Sequence, residues 1–288
     1  MTAPEPGSGS TVRRMLVGVQ LRRLREAKGI SREEAGYVIR ASASKISRLE
    51  LGRVSFKERD VADLLTLYGL TGEHEREVLL TLVREANKPG WWHNYSDVLP
   101  SWFQSYVGLE AAASLIRTYE VQFVPGLLQT EDYVRAVTRL GHETAPIEEV
   151  ERRVRLRIAR QQLLTQPGAP RVWAVMDEAA LRRPIGGSEV MRNQVKALLA
   201  ATELPNVTLQ VIPFGFGGHA GAGGVFTIMR FRDEDLPDIV FIEHLTSAIY
   251  LDKREDVDEY IAVIERLAVE AAAPDETVER LADLLKEI

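Results

Sequence analysis

The stretch SREEAGYVIRASASKISRLE, residues 31–50, decides the fold of the N-terminal part of the chain. Ser31-Arg32-Glu33-Glu34 is a capping box, in which a hydroxyl satisfies an orphan amide at the head of a helix and a glutamate three residues on reciprocates. The helix it opens runs to about Ile39. Ser42 offers a second hydroxyl cap, and in the helix that follows Ile46 and Leu49 fall inward while Ser44, Lys45, Ser47 and Arg48 point outward. A short helix with a short polar face suits a nucleic-acid groove. Gly36 stands inside the first of these helices at a cost of about 1 kcal/mol relative to Ala, which implies close approach to the next helix. A bulky residue there is expected to pry the pair open.

Upstream, Val17, Leu21 and Leu24 fall at helical spacing and Lys28-Gly29 supplies a basic last turn with a glycine stop. Downstream, Phe56 to Tyr68 carries Val61, Leu64, Leu65 and Tyr68 on one face before Gly69, and a further helix is expected from about Thr71 to Ala86. Charge separates along the chain. Val12 to Arg59 holds 13 Lys or Arg against 5 Glu, a net of +8, which leaves −14 for the rest of a chain whose total is −6. The basic charge is concentrated where a DNA-facing surface needs it.

Gln20-Leu-Arg-Arg-Leu-Arg-Glu-Ala-Lys-Gly-Ile-Ser-Arg-Glu-Glu-Ala35, with Ala41-Ser-Ala-Ser-Lys-Ile-Ser-Arg-Leu-Glu-Leu-Gly52, resembles the phage-repressor or Cro-like (XRE) helix-turn-helix family. The resemblance implies base contacts from Ala43, Ser44 and Arg48 in the first turns of the third helix. Arg48 is the residue expected on guanine, because its fork reaches O6 and N7 together. Arg32, Ser42, Lys45, Ser47 and Arg53 map onto positions suited to phosphate, which set register rather than sequence. It also implies that Arg25 and Glu50 form a structural ion pair.

Beyond the break at Lys88-Pro89-Gly90, an aromatic stretch includes Trp91, Trp92, Trp102 and Tyr106, read either as a candidate effector or partner surface or as rings that seal a junction. A helical pattern is read over about Leu109 to Glu120. Thr130 caps a helix through Arg139. Glu148 to Gln162 is a charged helix with arginines at 152, 153, 155, 157 and 160, either solvated or turned to a partner. From Arg171 the period changes. Val172–Met176, Val207–Ile212, Val225–Phe231 and Ile239–Ile242 read as strands, with helices at about Glu189–Leu199, Arg254–Ala271 and Asp275–Glu287.

Leu109-Glu-Ala-Ala-Ala, Val124-Pro-Gly-Leu-Leu-Gln-Thr-Glu-Asp-Tyr, Leu181-Arg-Arg-Pro-Ile-Gly and Pro205-Asn-Val-Thr-Leu-Gln-Val-Ile-Pro-Phe together resemble the C-terminal domain, of unknown function and sometimes called antitoxin-like, of a set of actinobacterial regulators. The resemblance implies a small acidic partner protein and brings no catalytic residues.

Other chemistry is poorly supported. Gly215-Phe-Gly-Gly-His-Ala has dinucleotide-loop spacing, yet a strand and not a helix is expected after it, so the phosphate cradle is missing. His74, His93, His142, His219 and His244 show no paired metal-ligand spacing. With no cysteine, no disulfide framework or thiolate site exists. No stretch suits membrane crossing, and the expected address is cytoplasmic, on the nucleoid.

The expected architecture is therefore an all-α helix-turn-helix N-terminal domain of about five helices plus an α+β C-terminal domain with a small mixed sheet and flanking helices. Its divisions are a flexible tail over 1–13, the helix-turn-helix domain over 14–70, a connecting helix and aromatic junction over 71–105, and a regulatory, dimerising or partner-binding domain over 106–288. The expected function is that of a homodimeric transcriptional regulator that binds an inverted repeat in double-stranded DNA, with no cofactor and no enzymatic activity. The alternative is an antitoxin-like protein that holds a small partner.

Overall fold

In the computed structural model, which describes residues 9–288, the capping box forms as the sequence requires. Glu34 N–H donates to Ser31 Oγ at 3.1 Å and Ser31 N–H donates to Glu34 Oε2 at 2.7 Å. The N-terminal helices are α1 (Gly9–Ala27), α2 (Arg32–Val38), α3 (Ala43–Glu50), α4 (Glu58–Leu67) and α5 (Glu73–Ala86). They share one core of Val17, Leu21, Ala35, Ile46, Leu49, Phe56, Val61, Leu64, Leu65, Tyr68, Val83 and Ala86.

Two expectations change here. Residues 1–8 of the expected tail lie outside the described residues, and from Gly9 onward the chain is helical rather than loose. Ser10 and Thr11 are buried, and Thr11 packs where a side chain at Gly108 would stand. The boundary expected at residue 70 also moves, because Val83 and Ala86 of α5 complete the helical core and α5 is therefore no connector. Asn87, just past α5, clamps the segment before α4. Its side-chain amide donates to Phe56 O at 2.7 Å and its Oδ1 accepts from Phe56 N–H at 3.1 Å.

Tyr68 is the one costly member of this core. Its hydroxyl is buried with no hydrogen-bond partner among the described residues, and burial together with the Glu50 charge pushes its pKa up to about 12. A buried hydroxyl without a partner costs about 1–3 kcal/mol. Tyr68→Phe is therefore expected to stabilise the helical unit by about 1 kcal/mol in chemical denaturation; a loss of stability would show that the hydroxyl does have a partner.

A short 3₁₀ turn, Trp91–Tyr95, precedes α6 (Ser101–Glu110). The rest of the chain is β1 (Leu115–Glu120), α7 (Glu131–Gly141), α8 (Ile147–Gln161), β2 (Arg171–Asp177), α9 (Ala179–Arg182), α10 (Ser188–Thr202), β3 (Val207–Ile212), β4 (Phe226–Arg230), β5 (Ile239–Glu243), β6 (Ala248–Leu251), α11 (Arg254–Glu270) and α12 (Pro274–Glu287). The chain divides into two compact units. The first holds the described residues up to Asn94 with Gln104–Ala112 and Asp233–Leu236, and the second holds the remainder. The division expected at 105–106 is thus interleaved rather than linear.

The second unit is built on one mixed sheet of order β3-β2-β1-β4-β5-β6. β1 and β2, and β2 and β3, pair in parallel, as crossover helices between them demand, whereas β4, β5 and β6 pair antiparallel. The helical pattern read over Leu109–Glu120 is corrected: α6 ends at Glu110 and Leu115–Glu120 is a central strand, paired on both sides. One face of the sheet buries Tyr119, Val175, Ile212, Phe226, Ile228 and Val240 under Val257, Ile264 and Leu267 of α11. Alternation sends Thr118, Thr227 and Phe241 to the other face, where Phe103 stands between Phe241 and Arg160 of α8.

The outer edge of β3 is closed by α12 and the turn before it. Val211 N–H donates to Thr277 Oγ1 at 3.2 Å and Val211 O accepts from Ala272 N–H at 2.9 Å, which blunts an edge otherwise open to pairing. The turn Gly126–Leu128 is secured by Gln194 of α10, whose side chain donates to Leu128 O and accepts from Thr130 N–H, each at 2.7 Å. Among the described residues no helix is long and apolar enough to cross a membrane.

Candidate nucleic-acid interface

Helix α3 is placed by its two ends. At its start Ser42 Oγ accepts from Lys45 N–H at 3.2 Å, and the turn from α2 closes through Ala41 N–H donating to Gly36 O at 2.8 Å. Arg40, within that turn, takes a φ of +52°. A Cβ at Gly36 would stand 2.6 Å from Ala41 O. The close approach expected at Gly36 is therefore real, and its neighbour is the backbone of the turn rather than the body of α3. At its other end α3 rests on α1, where a Cβ at Gly18 would meet Leu49 O at 2.7 Å.

The ion pair Arg25–Glu50 forms and is buried. Arg25 Nε donates to Glu50 Oε1 at 2.5 Å, Nη2 to Oε2 at 3.1 Å, and Nη1 to Ile30 O at 2.8 Å. Only 8% of the Arg25 side chain and 2% of the Glu50 side chain reach solvent. Hydrogen bonding to Glu50 raises the Arg25 pKa against the opposing cost of burial. This bidentate pair ties α1 to the last residue of α3 and so fixes the roll of the helix.

With Ile46, Leu49 and Glu50 inward, α3 turns Ser44 and Arg48 fully outward and leaves Ala43, Lys45 and Ser47 half-buried. The residues expected on phosphate divide. Arg32 Nε donates to Glu50 Oε2 at 3.0 Å, so Arg32 is a third member of the buried pair, though 41% of its side chain stays exposed. Lys45 Nζ lies 3.1 Å from Asp60 Oδ2 of α4. Ser42 Oγ is occupied as the cap of α3, and Arg53 is exposed beyond its end. The pairings of Arg32 and Lys45 join residues distant in sequence, and only the acidic identity of Glu50 and Asp60 could have signalled them.

The aromatic candidates are divided between the two units. Trp91, Trp92 and Tyr106 belong to the first unit and Trp102 to the second. Trp92 and Tyr106 are 3% and 9% exposed, so both are packing residues; Trp92 lies against Gly90 and meets Trp91 edge-on at 6.1 Å. Trp102 O accepts from the Tyr250 hydroxyl at 2.6 Å.

The arginines of α8 are mostly spent inside the second unit. Arg152 pairs with Asp97 at 2.7 Å, Arg153 with Glu149, Arg157 donates to Gln129 Oε1 at 3.0 Å, and Arg160 lies 5.1 Å over the Phe103 ring; Arg155 is exposed. The glycine loop after β3 forms 3₁₀ turns and leads into β4. His219 pins it, with Nδ1 accepting from Gly221 N–H at 3.1 Å and Nε2 3.2 Å from Asp177 Oδ2. Among the described residues no three His, Asp or Glu side chains gather as metal ligands would.

Comparison with known families agrees with the two units. Residues 16–79 match a helix-turn-helix domain and residues 103–283 match a domain of unknown function, DUF5753. No curated protein and no solved structure matches the chain. A helix-turn-helix domain marks a DNA-binding protein of regulatory type. By the match that spans most of its length, the chain belongs to the DUF5753 family, here joined to an N-terminal helix-turn-helix domain.

Proposed function

We propose that this chain is a sequence-specific transcriptional regulator that binds an inverted repeat as a homodimer, with α3 in the major groove and the C-terminal unit answering a ligand or partner. The observation that carries the reading is the presentation of α3: a capped helix, rolled by the buried Arg25–Glu50 pair, with Ser44 and Arg48 outward. Arg48 reads a guanine, Ala43 and Ser44 contact neighbouring base edges, and Ser42, Ser47, Arg53, Lys45 and the exposed part of Arg32 meet phosphate. Two copies of α3 lie about 34 Å apart, one turn of the duplex. A signal bound by the C-terminal unit changes DNA affinity only as far as it binds two arrangements of the protein unequally.

Genome-wide DNA capture with the tagged chain supplies the operator. On that operator Arg48→Ala is expected to cost about 1–3 kcal/mol and relax preference at one base pair. Lys45→Ala is expected to weaken all sequences alike and flatten the salt dependence by less than a full phosphate contact, because Asp60 already shares the Lys45 charge. Equal losses on every sequence from both variants would overturn these roles.

A further inference from the structure

Helices α1, α3 and α4 end in the same way. At the close of each, the chain reverses through a residue in the left-handed region, and that residue is a glycine: Gly29 at φ +67°, Gly52 at φ +64° and Gly69 at φ +73°. The glycine N–H donates to the carbonyl three residues back, and the next N–H donates to the carbonyl five back. The second bond runs from Ile30 to Arg25 O at 3.2 Å, from Arg53 to Arg48 O at 2.9 Å and from Leu70 to Leu65 O at 3.0 Å. This double closure favours glycine because a Cβ is crowded by the backbone at positive φ.

Helix α2 closes through the same two bonds, Arg40 N–H to Tyr37 O at 3.2 Å and Ala41 N–H to Gly36 O at 2.8 Å, but the residue in the left-handed position, at φ +52°, is an arginine. Among the described residues Arg40 is the one non-glycine residue with positive φ. The fold makes no use of its side chain, which is exposed and has no hydrogen bond or ion pair among the described residues. Tyr37 and Val38 beside it are 86% and 40% exposed, so this turn is open to a partner.

Arg40 also carries its charge two residues ahead of Ser42, the cap of α3. Two other cations expected on phosphate are drawn to carboxylates, Arg32 to Glu50 and Lys45 to Asp60. Arg40 has no such pair to break before it meets an anion.

We propose that Arg40 is a phosphate-contacting residue of the DNA interface, kept where glycine is favoured because its guanidinium grips the backbone beside the groove that α3 enters. A guanidinium meets phosphate through two parallel N–H donors. This contact rests on the reading of α3 as the groove helix and adds to it a second anchor, from the turn. The strained backbone at residue 40 is what it costs to place a cation there.

Because a phosphate contact carries no sequence information, a labelled mixed-sequence DNA duplex is the probe, titrated with the full chain by fluorescence anisotropy from low to physiological salt. Arg40→Gly is expected to be at least as stable as the wild type in urea, since relief of the left-handed strain outweighs the freer unfolded chain. It is nevertheless expected to bind roughly tenfold more weakly at low salt, with a salt slope smaller by about 0.9. Arg40→Lys keeps the charge and should keep the slope. Arg40→Asn, which also tolerates positive φ, should repeat the loss with a side chain present, and it carries the test if the glycine variant is less stable. Unchanged affinity and slope in Arg40→Gly, or an equal loss in Arg40→Lys, would overturn this contact and leave the DNA-binding reading standing; a wild type that binds no duplex at low salt would overturn both.

Discussion

Replacing Arg25 by methionine is expected to lower the stability of the helical unit by about 3–5 kcal/mol, because it strands a buried carboxylate. Glu50 is 2% exposed at its side chain and holds two arginines, one enclosed and one at 41% exposure. Arg32 remains after the substitution and softens the loss toward the lower end of that range. It cannot replace Arg25, whose Nη1 also satisfies Ile30 O at 2.8 Å.

The double variant Arg25→Met with Glu50→Leu removes both charges and is expected to recover most of the stability, since the cost lies in the unpaired charge rather than in the loss of a favourable contact. Hydrogen exchange of the α1 and α3 amides reads the effect inside the unit concerned. Equal protection loss in the single and double variants would refute the account. The same measurement separates scaffold from reader: Arg48→Ala, at an exposed position, should leave protection unchanged within about 0.5 kcal/mol while still weakening DNA binding.

The contrast shows which parts of the molecule were legible in the sequence. The helix-turn-helix is written in local signals: two hydroxyl caps, a glycine at the crossing and apolar residues at helical spacing, all within residues 31–50. The ion pair joins residues 25 apart and came from the family resemblance rather than from any local pattern. Lys45 and Arg32 read as free cations because their carboxylate partners lie in another helix or at the far end of α3.

In the second unit the four strands with β-branched runs between turn residues were readable, and β1 was not. Leu115-Ile-Arg-Thr-Tyr-Glu120 pairs on both sides and buries Ile116, Thr118 and Tyr119 across both faces, which erases the alternation that marks a half-exposed strand. β6 has four residues, too few for a period to show. Glu120 drew no attention for a related reason. Its meaning depends on Glu243, which only the sheet register brings alongside.

That register leads to the second large effect, on stability against pH. Burial, then the Glu243 charge, push the Glu120 pKa up to about 8, with Arg157 pulling the other way. In the unfolded chain the group returns to its ordinary 4.5. Between these values the folded protein keeps a proton that the unfolded chain releases, so unfolding is favoured as pH rises. The contribution is fully present below about pH 4.5 and lost through pH 8. Its slope is at most one proton, roughly 1.4 kcal/mol per pH unit, or on the order of 5 kcal/mol across the interval as an upper bound.

Glu120→Gln mimics the protonated acid at every pH and should flatten this slope, leaving stability near its wild-type value at pH 5 and raising it at pH 8. Glu243→Gln removes the like charge and should shift the wild-type slope to lower pH, whereas Arg157→Gln should shift it upward. Tyr133, whose own pKa Glu120 helps to raise, keeps its neutral form throughout and does not contribute. Urea denaturation of the four proteins from about pH 5 to 8.5 checks the set. If Glu120→Gln changes stability by the same amount at both ends, the proton does not reside on Glu120, and the slope must come from elsewhere in the fold.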